Sequence, residues 1–271
     1  MPPPPVILAV APNGARAGKA DHPRLPITTE EIVETCAACV AEGASMLHVH
    51  VRDGSGAHVL DAEAARALEA KITAVVGDAA VVQTTTEAFG RYSAREQMAF
   101  LQAARPRAAS MAWREIARPE LSDAERAELF AWCAREGVAL QYILYDTDDV
   151  AALNAAIRRG IVPEPRPRVL YVVGRYAGSE PSDARALIGF LSAELRPVSW
   201  MACAFGPSGY DVLYSAALMG GHVRIGFENG FAFPDGGVAP DNAALVARLR
   251  DVMRQLGRTP ATGAHARSVL L

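Results

Sequence analysis

Ser45-Met46-Leu47-His48-Val49-His50-Val51, followed by the turn signal Arg52-Asp53-Gly54, reads as a β-strand. Residues two apart on a strand point the same way, so His48 and His50 project together while Leu47, Val49 and Val51 face the other side. Two convergent imidazoles form a partial site for Zn²⁺ or a similar divalent ion. Near the far end, Gly221-His222-Val223-Arg224-Ile225-Gly226-Phe227-Glu228-Asn229 repeats the design, with Val223, Ile225 and Phe227 apolar on one face and Arg224, Gly226 and Glu228 on the other. A guanidinium and a carboxylate on a strand that otherwise reads as core are costly unless paired or bound to something. Glu228 suits a third, oxygen ligand, which would leave one coordination position open, as catalytic zinc requires.

Working outward from these two segments, eight strands are expected: Val6 to Ala11, Ser45 to Val51, Ala80 to Thr85, Ala108 to Trp113, Val138 to Leu144, Arg168 to Val173, Val198 to Ala204 and His222 to Phe227. Amphipathic runs separate them, among them Asp61 to Val76, Ser122 to Glu136, Asp183 to Leu195 and Gly209 to Met219. Strand and helix in alternation indicate a parallel sheet. Eight repeats in this length predict an α/β fold of the (β/α)8 TIM barrel type, one domain over 1–271, with Asp241 to Gln255 as the last, closing helix. An open doubly wound sheet is the competing fold, but no G-x-G-x-x-G follows the first strand. Barrel active sites lie at the carboxyl ends of the strands. Asn13, His48 and His50, Thr85 to Glu87, Arg114 and Glu115, and Arg224 to Asn229 all fall there.

Composition narrows the function. The 271 residues are 51% hydrophobic, enough for a substantial core, and the net charge of −3 gives no sign of nucleic-acid or membrane-surface binding. No basic leader or membrane-length apolar segment opens the chain, so a cytoplasmic protein is expected. Cys36 and Cys39 match C-x-x-C but lie in a helical stretch opened by a capping box from Thr28 to Glu31, and read as small buried residues. Lysine occurs only at Lys19 and Lys71, neither near a strand end, which argues against a Schiff-base aldolase.

Five segments in order carry a more specific likeness: Ala11-Pro12-Asn13-Gly14-Ala15-Arg16, Asp21-His22-Pro23-Arg24-Leu25-Pro26, His48-Val49-His50-Val51-Arg52-Asp53, Gln83-Thr84-Thr85-Thr86-Glu87-Ala88-Phe89-Gly90-Arg91-Tyr92 and His222 to Asn229. Together they resemble the β-keto acid cleavage enzyme family, the group typified by 3-keto-5-aminohexanoate cleavage enzyme. The resemblance implies a zinc-bearing barrel, assembled as a homo-oligomer (dimer or tetramer), that converts a β-keto acid and acetyl-CoA to acetoacetate and a new acyl-CoA. It makes His48, His50 and Glu228 the metal ligands, Arg224 the active-site arginine, Thr85 a hydroxyl that meets substrate, and Ser110 a second one. Asn229 departs from the pattern, where Asp is common. An amide orients a partner but accepts no proton at neutral pH, which moves the search for a general base to Glu87, with Glu115 behind it.

The chemistry suits these groups. A metal that polarises a ketone favours loss of an α-proton, and Arg224 could hold a carboxylate and offset developing charge. Asn13 and Arg16, just past the first strand, are further expected substrate contacts, Arg16 toward an anionic tail or a CoA phosphate. Gly174-Arg175-Tyr176 is a candidate CoA contact. Two other readings stay open at this point. One is a metal-dependent hydrolase on the same fold, although the fifth and sixth strands lack the histidines such barrels carry. The other is a catalytically impaired, metal-binding relative, for which Asn229 is the encouragement.

Overall fold

The strands are short because each is only the wall segment of a barrel, and each is buried on both faces. In the computed structural model, which describes residues 3–164, 166–174, 182–193, 198–206 and 208–271, they are β1 (Leu8–Val10), β2 (Met46–Val49), β3 (Val81–Thr85), β4 (Ala108–Ala112), β5 (Ala139–Leu144), β6 (Arg168–Val173), β7 (Ser199–Ala204) and β8 (His222–Ile225). All pair in parallel, in sequence order, and β1 closes the ring against β8. This is the expected (β/α)8 architecture.

The helices are α1 (Thr29–Ala41), α2 (Ala62–Val76), α3 (Ala94–Ala104), the single turn α4 (Trp113–Ile116), α5 (Asp123–Glu136), α6 (Thr147–Arg158), α7 (Ala186–Ala193), α8 (Gly209–Leu218), α9 (Asn242–Gln255) and α10 (Gly263–Leu270). Their starts are chemically marked. Capping boxes open α1 (Thr28 with Glu31), α3 (Ser93 with Glu96) and α5 (Ser122 with Glu125), while Asp61, Asp146 and Asp241 cap α2, α6 and α9. Among the described residues no helix is long and apolar enough to cross a membrane.

Strand alternation sorts the core into two shells. Leu47, Val49, Val82, Tyr142, Tyr171 and Val223 face outward and pack under the helices. Ile7, Met46, Val81, Ala108, Ala139 and Leu170 fill the inside of the barrel, and Ala266 and Leu270 of α10 join them. The chain reaches that position by running beside the first strand: Val6 N–H donates to Thr259 O, and Ala261 N–H to Val6 O. The segment Asp241 to Gln255 forms the expected closing helix, capped by Asp241, but it is not the last one. That segment, α9, lies outside against α1 and β1, and α10 seals the floor.

Other expectations shift by a few residues. Asp183 to Arg185 form a turn, α7 begins at Ala186, and the expected end at Leu195 lies outside the described residues, as do Arg175 and Tyr176. β2 stops at Val49 and β8 at Ile225, so His50 and Glu228 both sit just beyond their strands.

Candidate active site and metal centre

His48 and His50 converge as the alternation requires, their Nε2 atoms 3.0 Å apart. Glu228 Oε2 lies 3.4 Å from each. All three residues are buried, and among the described residues they form the one His/Cys/Asp/Glu group arranged to hold a metal ion. A tetrahedral ion with bonds of about 2.0–2.1 Å keeps its ligand atoms about 3.3–3.4 Å apart, so the triangle already has the right size. The protonation states also fit, because ligands must be deprotonated to bind. Burial pushes the His48 imidazole down to about 3. Burial alone would raise Glu228, but Arg224 and the two imidazoles outweigh it and hold its carboxyl well below the usual range. The donor set fits a divalent ion such as zinc.

Each ligand has a dedicated support. Gln83 on β3 is the cross-strand partner of His48, and its Oε1 is 2.9 Å from His48 Nδ1. Asn13, fully buried after β1, clasps the main chain of His50: Nδ2 donates to His50 O at 2.8 Å and Oδ1 accepts from His50 N–H at 3.2 Å. Glu228 arrives on a turn rather than on the strand. Gly226, with φ of 138°, lets β8 close on β1 so tightly that a Cβ would stand 2.3 Å from Ala11 O, and Glu228 N–H then donates to that same oxygen. Only glycine permits that approach. Arg224, inward on β8, donates from Nη2 to Glu228 Oε1 at 2.9 Å and reaches Cys203 Sγ at 3.4 Å.

The pocket above the triad opens among the ends of β3 to β8. Thr85, Glu87, Ser110, Glu115, Tyr145 and Phe205 line it together with the triad and Arg224. Ser110 Oγ is buried and makes no hydrogen bond within the described protein, so a hydroxyl is left facing the pocket. Thr85 Oγ1 accepts from Glu87 N–H at 3.0 Å. The Glu87 carboxylate stands 3.7 Å from His50 Nδ1 and 3.8 Å from Arg16 Nη2, and burial raises its proton affinity. Arg16 is half exposed at the rim, its guanidinium 4.9 Å above the Phe89 ring.

A profile of the beta-keto acid cleavage enzyme family matches residues 5–271. The chain belongs to that family. Relatives include the 3-keto-5-aminohexanoate cleavage enzyme of Acetoanaerobium sticklandii, 27% identical over 98% of this chain and 97% of its own length. The 3-oxoadipate:acetyl-CoA acetyltransferase of Cupriavidus necator is 27% identical over 98% of this chain and 94% of its own. Among solved structures, the binary complex of ObcA with oxaloacetate superposes with a TM-score of 0.73 at 18% identity, over 92% of this chain and 67% of that one. That likeness carries the fold alone.

In this member of the beta-keto acid cleavage enzyme family, three residues expected at the mouth are placed elsewhere. Asn13 does not line the pocket of the triad, and both polar ends of its amide bond the main chain of His50. Asn229 is buried on a separate small cavity behind Arg224, beside Gly206 and Tyr210, and does not line the pocket of the triad. Arg114 turns away on α4 to pair with Asp146 and Asp149, and lies 4.6 Å above the outer face of the Tyr145 ring. Glu115 does line the pocket, but its Oε2 is tied to Ala88 N–H and Gln97 Nε2. Gln83 and Gly14 are supports that the sequence reading did not single out. A polar Gln83 between Val82 and Thr84, on the inward side, was the available signal. His58 is also buried, with its ring 5.0 Å from that of His50.

Proposed function

We propose that this protein is a zinc-dependent β-keto acid:acetyl-CoA enzyme that converts R–CO–CH₂–COO⁻ and acetyl-CoA to acetoacetate and R–CO–CoA. The observation that carries the reading is the convergence of His48, His50 and Glu228 at the pocket floor, in a chain whose relatives bear the names of acetyl-CoA-dependent cleavage enzymes. A zinc ion held by these three would supply Lewis acidity toward a keto oxygen.

The chain's own groups do the rest. Arg224 places a fixed positive charge at the pocket wall, where a substrate carboxylate is held and where negative charge gathers as the α-carbon loses its proton. Thr85 and the unpaired Ser110 hydroxyl orient the substrate oxygens. Glu87, with a proton affinity raised by burial, is the group that moves the α-proton, since the amide of Asn229 cannot accept it. Phe205, Ile143 and Val172 keep one wall dry, which strengthens each of these polar contacts. Arg16 reads an anionic tail at the rim. We assign the active form to a homo-oligomer of two or four copies in the cytoplasm.

The test is a panel of β-keto acids with acetyl-CoA, followed by mass for acetoacetate and the matching acyl-CoA, alongside metal analysis and light scattering. Bound zinc with CoA-independent hydrolysis would replace this reading with a hydrolase. Bound zinc without turnover on any acid would mark an impaired relative.

A further inference from the structure

Inside the barrel, a string of buried neutral side chains crosses from the metal site to the opposite wall. His48 Nδ1 meets Gln83 Oε1 at 2.9 Å, Gln83 Nε2 donates to Gln141 Oε1 at 3.2 Å, and Gln141 Nε2 points at Met201 Sδ at 4.0 Å. His48, Gln83, Gln141 and Met201 come from β2, β3, β5 and β7, and all are buried. The direction of this string is not arbitrary. A thioether sulfur has no proton to give, so it can only accept, and the Gln141 NH₂ group must face it. Gln141 then offers its oxygen to Gln83, Gln83 must turn its NH₂ toward that oxygen, and only its own oxygen remains for His48. In this arrangement His48 carries its proton on Nδ1.

We infer that Gln83 and Gln141 are positioning residues that set the tautomer of His48 and so keep its Nε2 lone pair bare toward His50 and Glu228. Metal-ligating histidines depend on the partner of their second nitrogen for orientation and basicity, and loss of that partner costs roughly 10–100-fold in metal affinity. Here the partner is a neutral amide, and an amide has two faces. Released from Gln141, the Gln83 side chain can rotate by half a turn and offer NH₂ to Nδ1, which moves the imidazole proton to Nε2 and blocks the ligand atom. Gln141 therefore matters through Gln83, although it touches no ligand.

The inference rests on the metal reading above, and the experiment separates the two. Zinc affinity is measured by competition with a chromophoric chelator on the full-length protein, and the His48 tautomer by ¹⁵N chemical shifts of the zinc-free protein. Wild type should bind zinc and show Nδ1 protonated. Gln83→Leu should weaken zinc binding roughly 10–100-fold. Gln141→Leu should also weaken it and should give mixed tautomers at His48. Gln83→Glu offers an acceptor on either oxygen, so the double variant Gln83→Glu/Gln141→Leu should regain the affinity that Gln141→Leu loses.

A Gln141→Leu variant with wild-type zinc affinity would overturn the inference and leave the metal centre standing. So would a double variant as weak as Gln141→Leu, which is the behaviour of a merely structural glutamine. A wild-type protein that binds no zinc would overturn the metal reading itself.

Discussion

Replacing Gly14 by alanine separates the cost of the fold from the cost to the site. Gly14 has φ of +57°, and a Cβ there would stand 2.6 Å from Glu228 Cγ and 3.0 Å from its Cβ. Carbon atoms in contact sit about 3.5–4.0 Å apart, so Glu228 must retreat by about 1 Å. Metal sites tolerate about 0.2 Å in ligand distance. Gly137, the C-cap of α5, has φ of +72° with no atom within 4 Å of an added Cβ, and so isolates the backbone term. The left-handed conformation costs alanine about 1–2 kcal/mol, partly offset by about 0.4–1 kcal/mol from a less flexible unfolded chain. Gly137→Ala should therefore lower Tm by about 2–4 °C, for a net of about 1 kcal/mol in a chain of this size, and leave zinc binding intact. Gly14→Ala should lose at least as much stability and, in addition, weaken zinc binding at least roughly tenfold, as disturbed ligand supports do. Thermal melts and chelator competition on both variants decide the matter. Equal Tm losses with unchanged zinc affinity in Gly14→Ala would refute the claim that this glycine makes room for Glu228.

Three further outcomes are expected. His48→Ala should lose both bound zinc and turnover; retention of either at the wild-type level would disprove its place in the centre. Arg16→Glu should raise KM for an anionic keto acid, since it puts a carboxylate beside Glu87 in place of its rim partner, and unchanged kinetics across substrates would discard that role. His222, whose Nδ1 accepts Ile7 N–H at 3.1 Å, is held down to about 4 by burial, against 6.5 in a free chain. As pH falls from about 6.5 to about 4 the unfolded chain takes up a proton that the folded one refuses, so stability falls with it, and it recovers as pH rises. Urea unfolding at pH 4.5 and pH 7 should show a smaller difference for His222→Gln than for wild type; an unchanged difference would exclude His222 as a source.

The barrel was legible because its signals are local. Short apolar runs at Met46 to Val49 and Arg168 to Val173 mark strands buried on both faces, and Thr28 with Glu31, or Ser122 with Glu125, marks helix starts by hydrogen bonds that span three residues. The histidine pair was legible for the same reason, since a spacing of two needs no knowledge of the rest of the fold. Glu228 was reached by extending the alternation of β8 past its end. The residue is in the right place, but the turn at Gly226 puts it there, and that turn needs a glycine because Ala11 O lies 2.3 Å from where a Cβ would stand. That Asn13 and Asn229 lie off the pocket of the triad was not legible, because an amide near a strand end serves main chain or substrate equally well, and only the partner's position decides. The helix Gly263–Leu270 was missed because its buried residues, Gly263, Ala266 and Leu270, are few and small, and what they pack against is distant in sequence.

That last helix has a consequence for traffic. With Ala266 and Leu270 packed into the lower end, the described residues leave the three ligands facing the mouth of the barrel. On the proposed function, a molecule seated beside the ligands would leave only after whatever sits above it. In that reading an acid held deep against Arg224 would have its exit barred while the bulky thioester occupies the mouth. Small product would then wait for the larger one to depart, a release order that product-inhibition kinetics would read.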